Sequence, residues 1–287
     1  MSDLFLIPSI DQLKTKFETS PFLAPQWKRF LCLARRPQYE NYCALGYLIT
    51  RDEALRERYE QRIEQVLRFM KSLDVTNGGQ QHTWCQVSPV TRQAIYFDWM
   101  LPHLKLPKQR IQQITDEFID CAFKHAYCAL KGRYDSAHSN QELSMAACCA
   151  IIGHLFGRRR GSDARARMVC RFGIDRLDAE LDALPSHGYS HEGSTYNSQI
   201  TCPTLAVSAE AWQAITGEDR FEPHVRAALE TDALQISPQG FLPPWDNYGW
   251  MRGWVTMSST YLARRTGRDR WLYPAVAAGT FCEDGSM

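Results

Sequence analysis

Residues 53–73 read EALRERYEQRIEQVLRFMKSL, and in them Leu55, Tyr59, Ile63, Val66, Leu67, Met70 and Leu73 recur every three or four residues among Arg, Glu and Gln. That step follows the 3.6-residue turn, so the stretch predicts an amphipathic helix with one apolar stripe facing a core. The same period returns along the chain. Ile111, Ile114, Phe118, Ala122, Ala126 and Leu130 form a second stripe, Leu143, Ala147, Ala150, Ile151 and Leu155 a third, and Leu205, Ala209, Trp212 and Ile215 a fourth. No convincing run of alternating strand residues competes, and the predicted class is all-α.

The corners between these helices repeat. Ile49-Thr50-Arg51-Asp52 is echoed by Thr216-Gly217-Glu218-Asp219 and by Thr266-Gly267-Arg268-Asp269, with a weaker version from Gly157 through Asp163. Asp at the start of a helix accepts from its open N–H groups, while the preceding Gly closes the helix before it. The four aspartates, at 52, 163, 219 and 269, stand 111, 56 and 50 residues apart. Leu104-Lys105-Leu106-Pro107, halfway along the first gap, supplies a fifth corner, with Pro suited to a first helical turn. A period of about 55 residues implies stacked helix pairs, and pairs this long arranged about an axis make an α/α toroid, an incomplete barrel of about five to six hairpins. An open superhelix for protein binding is the alternative. Segments 74–92 and 185–203 read as long non-helical inserts, the kind of segment on which function concentrates.

With 287 residues, 44% of them hydrophobic, the chain can bury a large core, and we expect one domain over residues 1–287. Thirty-three Lys and Arg against 32 Asp and Glu leave no general basic charge to draw in nucleic acid or an anionic membrane, so an anionic ligand needs a local cluster. No apolar run approaches the roughly 20 residues of a membrane span. The opening MSDLFLIPS lacks the basic and apolar regions of an export signal, so the chain as written reads as cytoplasmic. The ten cysteines are scattered without a CxxC pair, mostly at apolar helical positions, and read as small buried hydrophobes in a reducing compartment. Arg158-Arg159-Arg160 falls at a corner and reads as a solvated turn.

The stretch richest in chemistry is His187-Gly188-Tyr189-Ser190-His191-Glu192-Gly193-Ser194-Thr195-Tyr196-Asn197, which gathers proton-transfer groups just before a predicted helix. Near that helix entrance the positive dipole end helps the Tyr196 phenol ionise. His187-x-x-x-His191-Glu192 has a spacing compatible with zinc, but Gly188 and Gly193 argue for a loop and a third ligand is missing.

With Ser139-Asn140-Gln141-Glu142 opening a helix 56 residues before Tyr196, the chain resembles the heparinase II/III-like and oligoalginate polysaccharide lyases, in their N-terminal α/α toroid. Ala94-Ile95-Tyr96-Phe97-Asp98-Trp99, the Thr-Gly-x-Asp corner, and Pro238-Gln239-Gly240 followed by Trp245-Asp246-Asn247 extend the likeness from Pro8 to about Tyr273. The resemblance implies β-elimination on a uronate-containing polysaccharide or oligosaccharide, with no metal or redox cofactor. The C5 proton is removable only when the neighbouring carboxylate is neutralised by hydrogen bonds, so the step needs a donor and a base. By the resemblance, Asn140, with Gln141 or His138, holds the carboxylate; Tyr196 handles the C5 proton or the leaving oxygen, and His191 and Glu192 stand beside it. Trp84, Arg92, Trp99, Tyr189, Trp245, Asp246 and Tyr248 are the candidates for gripping an anionic sugar, aromatic faces for rings and Arg forks for carboxylates.

Gln141 stands where several members carry His. Members also carry a β-sandwich after the toroid, which the sequence ending at Met287 does not show, and they are usually periplasmic or secreted. Two alternatives remain open: a glycoside hydrolase using Glu192 with Asp246 or Asp98, and a carbohydrate- or protein-binding toroid without turnover.

Overall fold

The computed structural model describes residues 5–6, 9–20, 23–35, 42–72, 80–130, 140–160, 163–184, 201–238, 241–242, 251–252 and 256–274. These are helical almost throughout: α1 Ile10–Thr19, α2 Leu23–Ala34, α3 Cys43–Thr50, α4 Glu53–Ser72, α5 Gln80–Met100, α6 Lys108–Leu130, α7 Asn140–Arg160, α8 Ala164–Ala183, α9 Cys202–Thr216, α10 Arg226–Leu234 and α11 Thr256–Thr266. A 3-10 turn at Leu101–His103, a π turn at Phe221–Val225 and a second 3-10 turn at Asp269–Leu272 complete the helical set. The strand content among the described residues is one antiparallel ladder, Phe241 opposite Arg252 and Leu242 opposite Met251. The chain separates into two compact units, Met1–Tyr134 with Cys148–Gly173, and Asp135–Ala147 with Ile174–Met287.

The corners form as their residues predict. Asp52 Oδ1 accepts from the Ala54 N–H at 3.1 Å, Asp163 Oδ1 from the Arg165 N–H at 2.9 Å, and Asp219 Oδ1 from the Phe221 N–H at 2.9 Å. The threonine that precedes three of these corners also repeats its role, its hydroxyl donating four residues back: Thr50 to Gly46, Thr216 to Trp212 and Thr266 to Leu262. Between threonine and aspartate the backbone turns left-handed, with φ of +84° at Gly217 and +65° at Gly267. At the first corner Arg51 takes that conformation, φ +60°, where the later corners have glycine. The last corner differs from expectation: the residue before its 3-10 turn is Arg268, whose carbonyl accepts from the Trp271 N–H, and Asp269 lies inside the turn. Pro107 likewise sits just before α6, its carbonyl accepting from Arg110 and Ile111.

Because no atom lies within 4 Å of a Cβ built on Gly217, only backbone strain opposes a side chain there. Gly217→Ala therefore lowers stability by about 1 kcal/mol, read as a lower urea midpoint; an unchanged midpoint would show that the corner relaxes freely.

In the first unit Leu55, Tyr59, Ile63, Val66, Leu67 and Met70 of α4 are all buried, as their spacing predicts, and Leu73 lies outside the described residues. The α6 stripe is buried from Ile114 through Ala126, but Leu130 at its end is 68% exposed. Phe97, Phe118 and Phe156, from α5, α6 and α7, are fully buried and meet ring to ring. One expectation fails: residues 80–92, assigned to a non-helical insert, belong to α5, which accommodates Pro89 inside it. Proline removes one ladder bond, but packing against α4 and α3 offsets that loss.

A recurrence absent from the sequence reading marks the helix pairs. Arg110, Arg165 and Arg220 stand 55 residues apart, and each reaches back to acidic residues of an earlier helix. Arg110 Nε meets Glu64 at 2.8 Å, Arg165 meets Asp120, and Arg220 meets Asp178 and, at 2.8 Å, Asp182. These partly exposed pairs each contribute about 0–1 kcal/mol, so they fix register more than they stabilise.

In the second unit, Leu205, Trp212, Phe221, Val225, Leu229, Leu262 and Trp271 are buried. Arg265 of α11 lies over the Phe221 ring, 4.7 Å from its centroid, and donates to Asp219 at 2.6 Å and to Glu210 at 3.1 Å. Burial alone would raise the Asp219 carboxyl, but the Arg265 guanidinium and the Phe221 N–H outweigh it and hold it below the ordinary value.

His125 on α6 is fully buried, and burial, with a smaller contribution from Lys124, lowers its pKa to about 4. The unfolded chain takes up a proton near pH 6.5 while the folded one resists, so the stability associated with this group is complete above that pH. It is lost as pH falls from 6.5 toward 4, by roughly 3 kcal/mol in all. Urea titrations between pH 7 and pH 4.5 measure this slope, which His125→Asn should flatten; an equal slope in both proteins would assign it elsewhere.

Candidate functional site

The candidate carboxylate-binding turn opens α7. This helix has no polar side: Leu143, Met145, Ala146, Ala147, Cys148, Cys149, Ala150, Ile151, Ile152, Leu155 and Phe156 are all buried. A helix apolar all round is an interior helix, and its alanines, cysteines and Gly153 let neighbours approach closely. Burial pushes the Cys148 thiol up to about 12 and raises Cys121 and Cys149 as well, so these sulfurs stay protonated near neutral pH and act as packing groups. None of the eight described cysteines is in a disulfide, and six are buried.

Polarity on α7 concentrates in its first turns. Asn140 is 5% exposed and Glu142 is 6% exposed, with Gln141 half-buried between them. Glu142 pairs with Arg176 of α8 at 3.1 Å. An acidic residue in a first turn is favoured by the positive end of the helix, and Arg176 adds a second counter-charge. The outcome is an amide and a neutralised carboxylate at the head of an apolar helix. Glu142 is part of the helix-opening stretch read from the sequence but was given no role there, and its partner Arg176, 34 residues away, was not legible.

The other proposed catalytic residues, His138, His191, Glu192 and Tyr196, lie outside the described residues, as do Tyr189, Trp245, Asp246 and Tyr248. So does His187, the first residue of the zinc-like spacing. Trp84 falls within α5, its side chain outside the description. Trp99 is 7% exposed, packs on Tyr96 with centroids 5.3 Å apart, and its indole N–H donates to the Phe5 carbonyl at 2.8 Å. That is the environment of a packing residue rather than an open sugar platform. Asp98, the alternative hydrolytic acid, is half-buried on α5. Arg92 is exposed on the same helix and lines a cavity of about 330 Å³ in the first unit, together with Arg62 and Gln65 of α4 and Gln93 of α5. Those three partners were missed because they sit in the charged or polar positions of helical stripes, where sequence reads them as solvated.

Among the described residues no three His, Cys, Asp or Glu side chains converge as a metal site, and no helix is long and apolar enough to cross a membrane. No family model matches the chain, and no curated protein matches it significantly.

Proposed function

We propose that this protein is a polysaccharide-lyase-like enzyme, a carbon–oxygen lyase that cleaves an anionic, uronate-containing polysaccharide or oligosaccharide by β-elimination, on hairpins arranged as an α/α toroid. Beyond the resemblance, the reading is supported by the place of Asn140 at the opening turn of α7, beside Glu142, whose charge Arg176 balances. A neutral amide at a positive helix end is suited to hold a uronate carboxylate in its hydrogen-bonded form and so acidify the adjacent C5–H. Tyr196 then serves as the proton-transfer group, as the resemblance implies, and His138, His191 and Glu192 complete the set. The 55-residue recurrence of Arg110, Arg165 and Arg220 supports the hairpin repeat on which the toroid reading depends.

The test offers alginate, heparan-type and hyaluronan polymers to the protein and follows the near-ultraviolet absorbance of the conjugated double bond that elimination creates. Absorbance should rise with one of them, and Tyr196→Phe and Asn140→Ala should each slow it by about 100-fold or more while polymer binding persists. New reducing ends without absorbance would mean hydrolysis instead. Binding with neither product would mean a carbohydrate-binding protein.

A further inference from the structure

Of the three corners that follow a threonine, the one between α3 and α4 has no glycine at its left-handed residue. Arg51 holds φ at +60° there, where Gly217 and Gly267 take +84° and +65° at the corresponding places. A Cβ in that conformation costs strain, so an arginine kept at such a place points to a use for its side chain.

That side chain reaches the 3-10 turn after α5. Arg51 Nη1 donates to His103 Nε2 at 3.1 Å, and the guanidinium lies 5.5 Å from the centroid of the Tyr47 ring, which meets the His103 ring edge-on with centroids 5.4 Å apart. Arginine has only donors to give, so the ring nitrogen it meets is the bare acceptor of a neutral imidazole. We propose that Arg51, His103 and Tyr47 form an acid-released latch between two hairpin corners of the first unit, closed while His103 is neutral and opened when it takes a proton. The protonated ring has no acceptor to offer and sets a second positive charge against the guanidinium.

The charged and titratable groups on the elements that meet there are Tyr47 on α3, Arg51 and Asp52 at the corner, Glu53, Arg56, Glu57 and Glu60 on the first turns of α4, Asp98 on α5 and Lys105 beyond the turn. Asp52 is engaged by Arg35 at 3.1 Å and by the Ala54 N–H, Glu53 by Arg56 and by Lys105 Nζ at 2.9 Å, and Glu60 by the Lys105 N–H at 2.7 Å. None of these three acids pairs with His103. Burial first, and then the Arg51 charge, lowers the His103 pKa from its ordinary 6.5. A folded pKa below the unfolded one means that the contribution of this contact is complete above about pH 6.5 and is lost as pH falls through the folded value. The second fastener between the same corners differs. Hydrogen bonds from Arg56 and Lys105 hold the Glu53 carboxyl below its usual 4.5, so the Lys105 bridge to α4 still holds near pH 5. Acid thus frees the α3–α4 turn while the hairpins stay joined.

Amide hydrogen exchange in the full-length protein tests this at the Leu55 N–H, which bonds to the Asp52 carbonyl at 2.9 Å across the corner. Corrected for the intrinsic effect of pH, its protection should fall about three-fold or more between about pH 7.5 and about pH 5. In His103→Gln, whose amide oxygen accepts from Arg51 but takes no proton, protection should stay level over that range. In Arg51→Gly, which gives this corner the residue type that the other two use, it should also stay level, and the His103 ring signal should titrate closer to 6.5 than in wild type. His125 is intact in all three proteins, so its acid sensitivity is common to them. Equal wild-type protection at both pH values, a fall that persists in His103→Gln, or a His103 titration unmoved by Arg51→Gly would each overturn the proposal. No substrate enters the measurement, so its result and that of the elimination assay stand apart.

Discussion

Gly153→Ala destabilises the protein by about 3 kcal/mol or more, the reverse of what helix propensity predicts. Gly153 lies within α7, where glycine is about 1 kcal/mol less favourable than alanine, so on local grounds the substitution should help. The tertiary contact decides otherwise. A Cβ at Gly153 would stand 2.4 Å from the Cys170 backbone nitrogen and 2.6 Å from its Cα, both on the facing helix α8. A side-chain neighbour can rotate away, but a helix backbone must translate. Equilibrium urea unfolding of wild type and variant measures the difference, with Gly217→Ala as a reference for pure backbone strain. A Gly153→Ala protein as stable as wild type, or more so, would mean that α7 and α8 do not approach this closely.

Phe118→Ala should cost about 3–5 kcal/mol, a large share of a stability that for a single domain is about 5–15 kcal/mol. Phe118 is fully buried, stacks on Phe156 with centroids 5.4 Å apart and meets Phe97 at 5.8 Å, so its ring joins α5, α6 and α7. Removing it leaves a cavity bounded by two aromatic rings that helical backbones prevent from collapsing. Phe118→Leu, which keeps most of the volume, should lose much less, and the Phe118/Phe156 double-mutant cycle should show coupling of about 0.5–1.5 kcal/mol. A loss below about 1 kcal/mol for Phe118→Ala would remove this trio from the centre of the core. Both predictions concern the interior that holds α7 in place.

The helices and most of their ends were legible because the forces that make them are short-ranged. The α4 stripe from Leu55 to Met70 is buried as its spacing requires, and Asp52, Asp163 and Asp219 cap or close the turns they were expected to. Those interactions span two to four residues and are written out in the chain. Where burial exceeds one face the signal is partial: the stripe from Leu143 to Leu155 was read, but α7 also buries Met145, Ala146, Cys148, Cys149 and Ile152 outside it, and the start of α5 was missed because Gln, His and Pro89 outweigh a pattern that only packing reveals. The candidate site divides in the same way. Asn140 at a helix opening was readable from its place before an apolar run, whereas the Arg176 partner of Glu142 and the lining of one cavity by Arg62 and Arg92 were not.

By itself the sequence determined the all-helical class, the hairpin corners and the period of about 55 residues, since caps, left-handed turns and apolar spacing act between near neighbours. Tertiary structure alone decided that Trp99 spends its indole N–H on Phe5, 94 residues away, that Gly153 must remain without a side chain, and that an arginine reaches the acid of an earlier hairpin. The reason is physical: such contacts depend on which helix faces meet, and that is settled by the summed burial of the whole core rather than by any local stretch of chain.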